Sequence, residues 1–157
     1  MWKGGRTGLF EGSRGALKVP GGALEAARRY VEQLRGKLGG RLKLAVLYGS
    51  YVRGDFRDGS DLDLLLVIEG LPPRPQDRLE GLIEVLEGFY VEPHPLTPQE
   101  FLEAASQCRL VAYEALREGL LLYAEQAFYE QAGERLQRAE ERFKPKRTAR
   151  GLWLQVG

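Results

Sequence analysis

The order of elements in this 157-residue chain predicts a small α/β (α+β) domain, a mixed three- to four-stranded sheet flanked by helices with a helical C-terminal part. Three observations predict it. Apolar residues recur at helical spacing from Leu24 to Leu38. Two apolar runs of strand length, "LKLAVLY" and "DLDLLLVI", follow, with glycines between them. After a third short run, "YVEPHPL", the pattern turns helical from Phe101 to about Phe143.

Each element has a local cause. Leu24, Ala27, Tyr30, Val31, Leu34 and Leu38 line one helix face, and Gly39-Gly40 ends it, because glycine accepts the left-handed terminal conformation. "LKLAVLY" is the first strand, and "GSYVRG" a tight turn into a short helix. "DLDLLLVI" is the second strand, ended by the Pro/Gly break "EGLPPRP". "QDRLEGLIEVLEGF" predicts an amphipathic helix with Leu79, Leu82, Ile83 and Leu86 on one face. The third strand carries prolines, which suit an edge or an abrupt end. Thr97-Pro98-Gln99-Glu100 has the form of a capping box with proline at the first helical position, so a helix starts there. A break is expected near Gly119. This gives a basic Gly-rich segment over residues 1–21, a core over 22–106, C-terminal helices over 107–143 and a basic tail over 144–157.

Composition narrows the function classes. Apolar residues make up 43% and charged ones 29%, as in ordinary soluble proteins, and the formal net charge of +1 points to no bulk polyanion as direct substrate. One cysteine, Cys108, excludes an internal disulfide framework and reads as an inert thiol in a reducing compartment. The first residues lack the apolar stretch of a signal peptide, and no run is long enough to span a bilayer, so a cytoplasmic protein is expected.

Chemistry concentrates in "GSYVRGDFRDGSDLDLLLV". In a strand, residues i and i+2 face one side, so Asp61 and Asp63 project together, roughly 6–7 Å apart. Two carboxylates so close need a cation between them, and Mg²⁺, which leaves positions for water and phosphate oxygens, suits them. A strand that ends in Gly49-Ser50 and enters a helix offers an anion backbone amides and the Ser50 hydroxyl. Arg53, one turn on, can add a charge-assisted bond to phosphate, or brace the loop through Asp55 or Asp58. Two-ion chemistry wants a third carboxylate, and Glu92 is the acidic residue inside the third strand. His94, the only histidine, shares a face with Glu92 and reads by default as an ordinary edge residue, with a place leaning into the site as the alternative.

Gly-Ser, ten residues and Asp-x-Asp running into an apolar strand resembles the signature of the polymerase β-type nucleotidyltransferase superfamily. Within it the motif is similar to the minimal nucleotidyltransferases of bacteria and archaea. The resemblance covers residues 22–106 in element order and 49–67 in specific motif. It implies transfer of a nucleoside monophosphate, AMP from ATP, with two Mg²⁺ ions. Gly49 and Ser50 would hold the triphosphate, Asp61 and Asp63 the metals, and Glu92 would stand where an Asp is often found. Relatives of this size pair with helical HEPN-domain proteins in toxin–antitoxin systems and attach AMP to a tyrosine of the toxin. That implies a HEPN-type partner, and a homo- or hetero-oligomer is compatible with it. Two other readings stand beside this one: a non-catalytic nucleotide- and partner-binding module, and a transferase for a small hydroxylated molecule.

Overall fold

A computed structural model describes residues 19–57 and 59–155. The lead-in expected over residues 1–21 falls almost wholly outside that range, as does Asp58, one of the two loop partners foreseen for Arg53. The elements run α1 (Gly21–Leu38), β1 (Leu42–Tyr48), α2 (Ser50–Arg53), β2 (Leu62–Ile68), β3 (Glu84–Leu86), β4 (Phe89–Leu96) and α3 (Pro98–Ser106). Then come α4 (Leu110–Tyr113), continued by a wider turn over Glu114–Glu118, β5 (Leu120–Ala124), α5 (Gln126–Phe143), β6 (Lys146–Thr148) and β7 (Gly151–Trp153).

Five strands form one mixed sheet in the order β3-β4-β2-β1-β5. β2 pairs antiparallel with β1 and parallel with β4, so it is central and hydrogen-bonded on both sides. Strand parity then sorts the side chains into two cores. Ala45, Leu47, Leu62, Leu64 and Leu66 face α1, where Ala23, Ala27, Tyr30, Val31 and Leu34 meet them. Leu44, Val46, Leu65 and Val67 face the other way, against Phe101, Phe128, Leu136 and the small residues of α3, α4 and α5. Both faces are covered, which explains why "LDLLLVI" is apolar at nearly every position.

The sheet has one or two more strands than the sequence predicts, for two local reasons. The amphipathic α-helix expected over Gln76–Phe89 does not form. After a short helical turn at Pro75–Asp77 the chain bends at Gly81, with φ +79°, and enters a hairpin whose turn, Glu87-Gly88, has φ of +53° and +86°. Positive φ at two successive residues is the signature of a type I′ turn, which matches the twist of the strands it joins. Leu79 and Ile83, which the predicted helical face would have hidden, are exposed at 36% and 49%. The second difference is β5, the apolar run "LLLYA", which pairs antiparallel with β1 at the sheet edge instead of extending a helix. Gly119 permits that entry, since a Cβ there would collide with Val46.

Other expectations hold in detail. α1 ends at Gly39, with φ +56°. The Thr97 hydroxyl accepts from the Glu100 amide at 3.1 Å while the Glu100 carboxylate accepts from the Thr97 amide at 3.0 Å, completing the capping box. Cys108 is a buried free thiol. The same Glu100 also holds Arg78, the one buried charged residue among those described, through bonds of 2.7 and 3.1 Å. Arg78 donates besides to the carbonyls of Pro72 and Pro73, so a single guanidinium ties the Pro-rich crossover to the start of α3. Tyr30 does the same for the next stretch, donating its hydroxyl to the Leu82 carbonyl at 2.6 Å. The basic tail folds back as the β6–β7 hairpin, contrary to a solvated default, because Arg147 pairs with Glu114 at 3.0 Å and Glu118 at 2.9 Å.

Candidate active site at the mouth of β2 and β4

The parallel pairing of β2 with β4 builds the site. Its register sets Asp63 beside Glu92, and antiparallel pairing on the other flank sets Tyr48 beside Asp63. Tyr48, Asp63 and Glu92 therefore form a row across three strands on the face that α3, α4 and α5 cover further along. Asp61 precedes the row by two residues on the same strand line. The acidic residues thus take the positions where this face emerges from its helical cover. All of them are only partly buried.

Gly49 closes the row. It follows β1 with φ +83° and ψ −151°, a region open essentially to glycine alone. A Cβ at this position would collide with the Asp63 carboxylate. Backbone and carboxylate can approach so closely only because the side chain is absent. Ser50 opens α2, whose Val52 and Arg53 amides return to the Gly49 carbonyl at 3.2 and 3.0 Å. With four residues, α2 has little macrodipole to offer, so any anion contact here rests on individual groups of the turn.

The imidazole of His94 reaches into the acidic row. Its Nε2 lies 3.3 Å from Asp63 Oδ1 and 3.6 Å from Glu92 Oε2. The ring stands edge-on to Tyr48, with centroids 5.5 Å apart and planes at 72°. One ligand atom each from Asp63, Glu92 and His94 lie within 4.8 Å of one another, the spacing of a set that can hold a cation. Electrostatics follow from this crowding. The hydrogen bond to Asp63 raises the His94 pKa against the opposing effect of burial, so the ring holds its proton more firmly than a free imidazole. Glu92 is also raised, first by its hydrogen bond with Asp61 and then by burial, so this carboxyl keeps a proton more readily than usual. Tyr48 is pushed well above the ordinary phenol range, chiefly by burial and then by Asp63, and stays neutral.

A family model described as "Nucleotidyltransferase domain" matches residues 25–121, well over half of the chain. The chain belongs to the nucleotidyltransferase domain family. Among curated proteins, this nucleotidyltransferase domain is similar to two of Methanocaldococcus jannaschii named "Putative protein adenylyltransferase", MJ0604 and MJ1305. It is 44% identical to the first over 43 residues, 27% of this chain and 43% of that protein. To the second it is 35% identical over 60 residues, 38% of this chain and 41% of that protein. Each match therefore spans less than half the length of the relative. Solved structures with a related outline include a "putative nucleotidyltransferase from Sulfolobus solfataricus", 20% identical, with 68% of this chain and 91% of that chain covered at a TM-score of 0.45. A "toxin-antitoxin with AMP-PNP" is 14% identical, with 73% and 90% covered at the same TM-score. Likenesses at this level are of outline alone.

Of the residues singled out from sequence, Gly49, Asp61, Asp63 and Glu92 come together in the nucleotidyltransferase domain, with Ser50 next to Gly49. Arg53 is exposed and pairs with Asp55 at 3.3 Å, which corresponds to the bracing alternative. His94 joins the acidic group, against its default reading as an edge residue. The signal that finds it is parity: two residues past Glu92 on one strand, it faces the same side. The flanking prolines, which argue for an edge, are compatible with this. β3 covers β4 only over Phe89–Val91, leaving the outer side of residues 92–96 open.

Proposed function

We propose that this chain transfers a nucleoside monophosphate from a nucleoside triphosphate to a hydroxyl acceptor, with AMP from ATP as the preferred case. The observation that carries the reading is the convergence of Asp61, Asp63 and Glu92 from two parallel strands onto a wall made by Gly49. The donor set fits divalent cations, since these are carboxylate oxygens in a half-open mouth where other coordination places stay free for phosphate oxygens. Asp61, Asp63 and Glu92 would hold Mg²⁺, which supplies neutralisation of phosphate charge and of the departing pyrophosphate.

The chain's own groups have distinct tasks. Gly49 lets the backbone come close to a triphosphate, and the Ser50 hydroxyl donates to it. The acceptor oxygen forms a bond to the α-phosphorus as the bond to pyrophosphate breaks. The acceptor's proton passes to Glu92. Tyr48, neutral and half-buried at the end of the row, packs against the His94 ring.

The acceptor is proposed to be a protein hydroxyl. The names of the two M. jannaschii relatives support this, and the family resemblance extends it to a tyrosine of a HEPN-type partner in a toxin–antitoxin pair. Incubation with α-labelled ATP, Mg²⁺ and a co-encoded HEPN-type protein is expected to label the partner. Glu92→Gln should reduce labelling about 100-fold. Equal labelling by wild type and an Asp61→Ala/Asp63→Ala variant would sink the reading.

A further inference from the structure

We infer that His94 is a metal ligand, and that it tilts the site toward a first-row transition cation such as Mn²⁺ in preference to Mg²⁺. The inference rests on the reading of these carboxylates as a cation site, and adds a nitrogen donor and a metal preference to it.

Three observations carry it. First, the distances match a shared shell. Two ligands each about 2.1 Å from one cation stand about 3.0 Å apart at right angles and about 3.4 Å apart in a tetrahedral arrangement. His94 Nε2 stands 3.3 Å from Asp63 Oδ1 and 3.6 Å from Glu92 Oε2. Second, the ring is aimed: Tyr48 lies edge-on against it, and the nitrogen that faces the carboxylates is Nε2. Third, the three residues come from adjacent positions of paired strands, Asp63 beside Glu92 and Leu65 beside His94, so the backbone fixes their separation. A surface histidine resting against acids needs none of this support.

The donor type sets the preference. Mg²⁺ takes oxygen ligands and dehydrates reluctantly, so an imidazole adds little to its affinity. Mn²⁺ and the later divalent ions accept imidazole beside carboxylate, with affinity rising along the series to copper. A site built from Asp63 and Glu92 alone would leave that discrimination to metal availability. With His94 the protein itself contributes to it.

The test is titration of the full chain, free of nucleotide, with Mn²⁺ and separately with Mg²⁺, followed by calorimetry. Wild type is expected to bind Mn²⁺ at least about tenfold more tightly than Mg²⁺. His94→Ala should lose about tenfold in Mn²⁺ affinity while Mg²⁺ affinity stays within about twofold. His94→Gln, which keeps a polar side chain of similar reach, should behave as the alanine variant does, with an unchanged melting temperature showing that the fold persists. Pulsed electron paramagnetic resonance of bound Mn²⁺ should show coupling to a ring nitrogen that both variants lack. The inference is overturned if wild type binds no Mn²⁺, if Mn²⁺ affinity is the same in all three proteins, or if nitrogen coupling is absent. Labelling of an acceptor from ATP separates the two claims. If no metal supports transfer but the Mn²⁺ difference stands, the transferase reading fails and the ligand assignment survives. If transfer proceeds and the difference is missing, the reverse holds.

Discussion

β2 and β4 run side by side in the same direction and each brings acidic residues to one mouth, yet they are built to opposite standards. β2 is paired on both sides and covered on both faces, and among Leu62–Ile68 only Asp63 is not fully buried. β4 loses its outer partner after Val91, and Pro93 and Pro95 follow on alternate residues. Alternate backbone groups of a parallel strand point to opposite neighbours, so Glu92 and His94 bond toward β2 while the prolines turn toward the open side. The contrast separates two duties. β2 holds a carboxylate in a place set by the whole core, and β4 holds Glu92 and His94 on a strand paired on one side only beyond Val91. In the proposed reaction β2 would serve as the fixed wall and the one-sided β4 as the outer wall.

The strongest test of the contrast is chemical. Asp63→Asn keeps size and shape, and is expected to lower nucleotidyl transfer by at least about 1,000-fold, because several kcal/mol of charge stabilisation would depend on the metal proposed there. Labelling kinetics measure the loss, and the melting temperature should not fall. Next in size is the fixed wall itself. Leu65, fully buried on β2, is expected to cost about 3 kcal/mol when changed to alanine, read by denaturant unfolding.

The crossover between the strands comes third. Arg78→Ala removes the bonds that hold Pro72 and Pro73 to Glu100, with an expected loss of about 2 kcal/mol. Its pH dependence has a definite sign. The hydrogen bonds from Arg78 hold the Glu100 carboxyl below its ordinary value, so the stabilisation is complete above the unfolded carboxylate range. It fades as pH falls through the lowered folded value. Glu100→Gln should flatten that part of the acid unfolding curve, by less than about 1 kcal/mol since the carboxylate is partly in water. The smallest effect belongs to the outer wall: Pro95→Ala, at a half-buried position that donates nothing to the ladder, should shift stability by no more than about 0.5 kcal/mol. A loss near that of Leu65→Ala would erase the distinction between the strands.

The fixed wall was also the readable one. Strand parity alone aligns Asp61 with Asp63, and the Gly49-Ser50 break before α2 needs no tertiary information to recognise. Element order and the α/β class follow from periodicities that the core then satisfies. The segment over residues 76–89 misleads because Leu79, Leu82, Ile83 and Leu86 happen to fall at helical spacing, while the deciding groups are the glycines. Gly81 and Gly88 serve left-handed bends, and a glycine preceded by a residue able to adopt positive φ is a hairpin signal that apolar spacing drowns out. β5 is hidden for another reason. An unbroken run such as "LLLYA" carries no period, and only the free edge of β1 decides that it is a strand. Glu92 could be nominated as the acid of its strand, but its partnership with Asp61 and the approach of His94 depend on strand pairing that no local pattern encodes.

The β6–β7 hairpin lies beyond residues 25–121, where the family model matches, and its Arg147 grips Glu114 and Glu118. Those two glutamates line a small cavity together with Tyr48, Gly49 and Arg53, beside the proposed phosphate wall. Arg147 therefore acts as a counter-charge for the mouth. A chain cut before Lys144 would leave two carboxylates without their arginine beside the place proposed for the triphosphate, and should repel it. Without the hairpin, the domain should keep its carboxylate row yet bind ATP less tightly, and added salt should narrow the gap by screening the exposed charge.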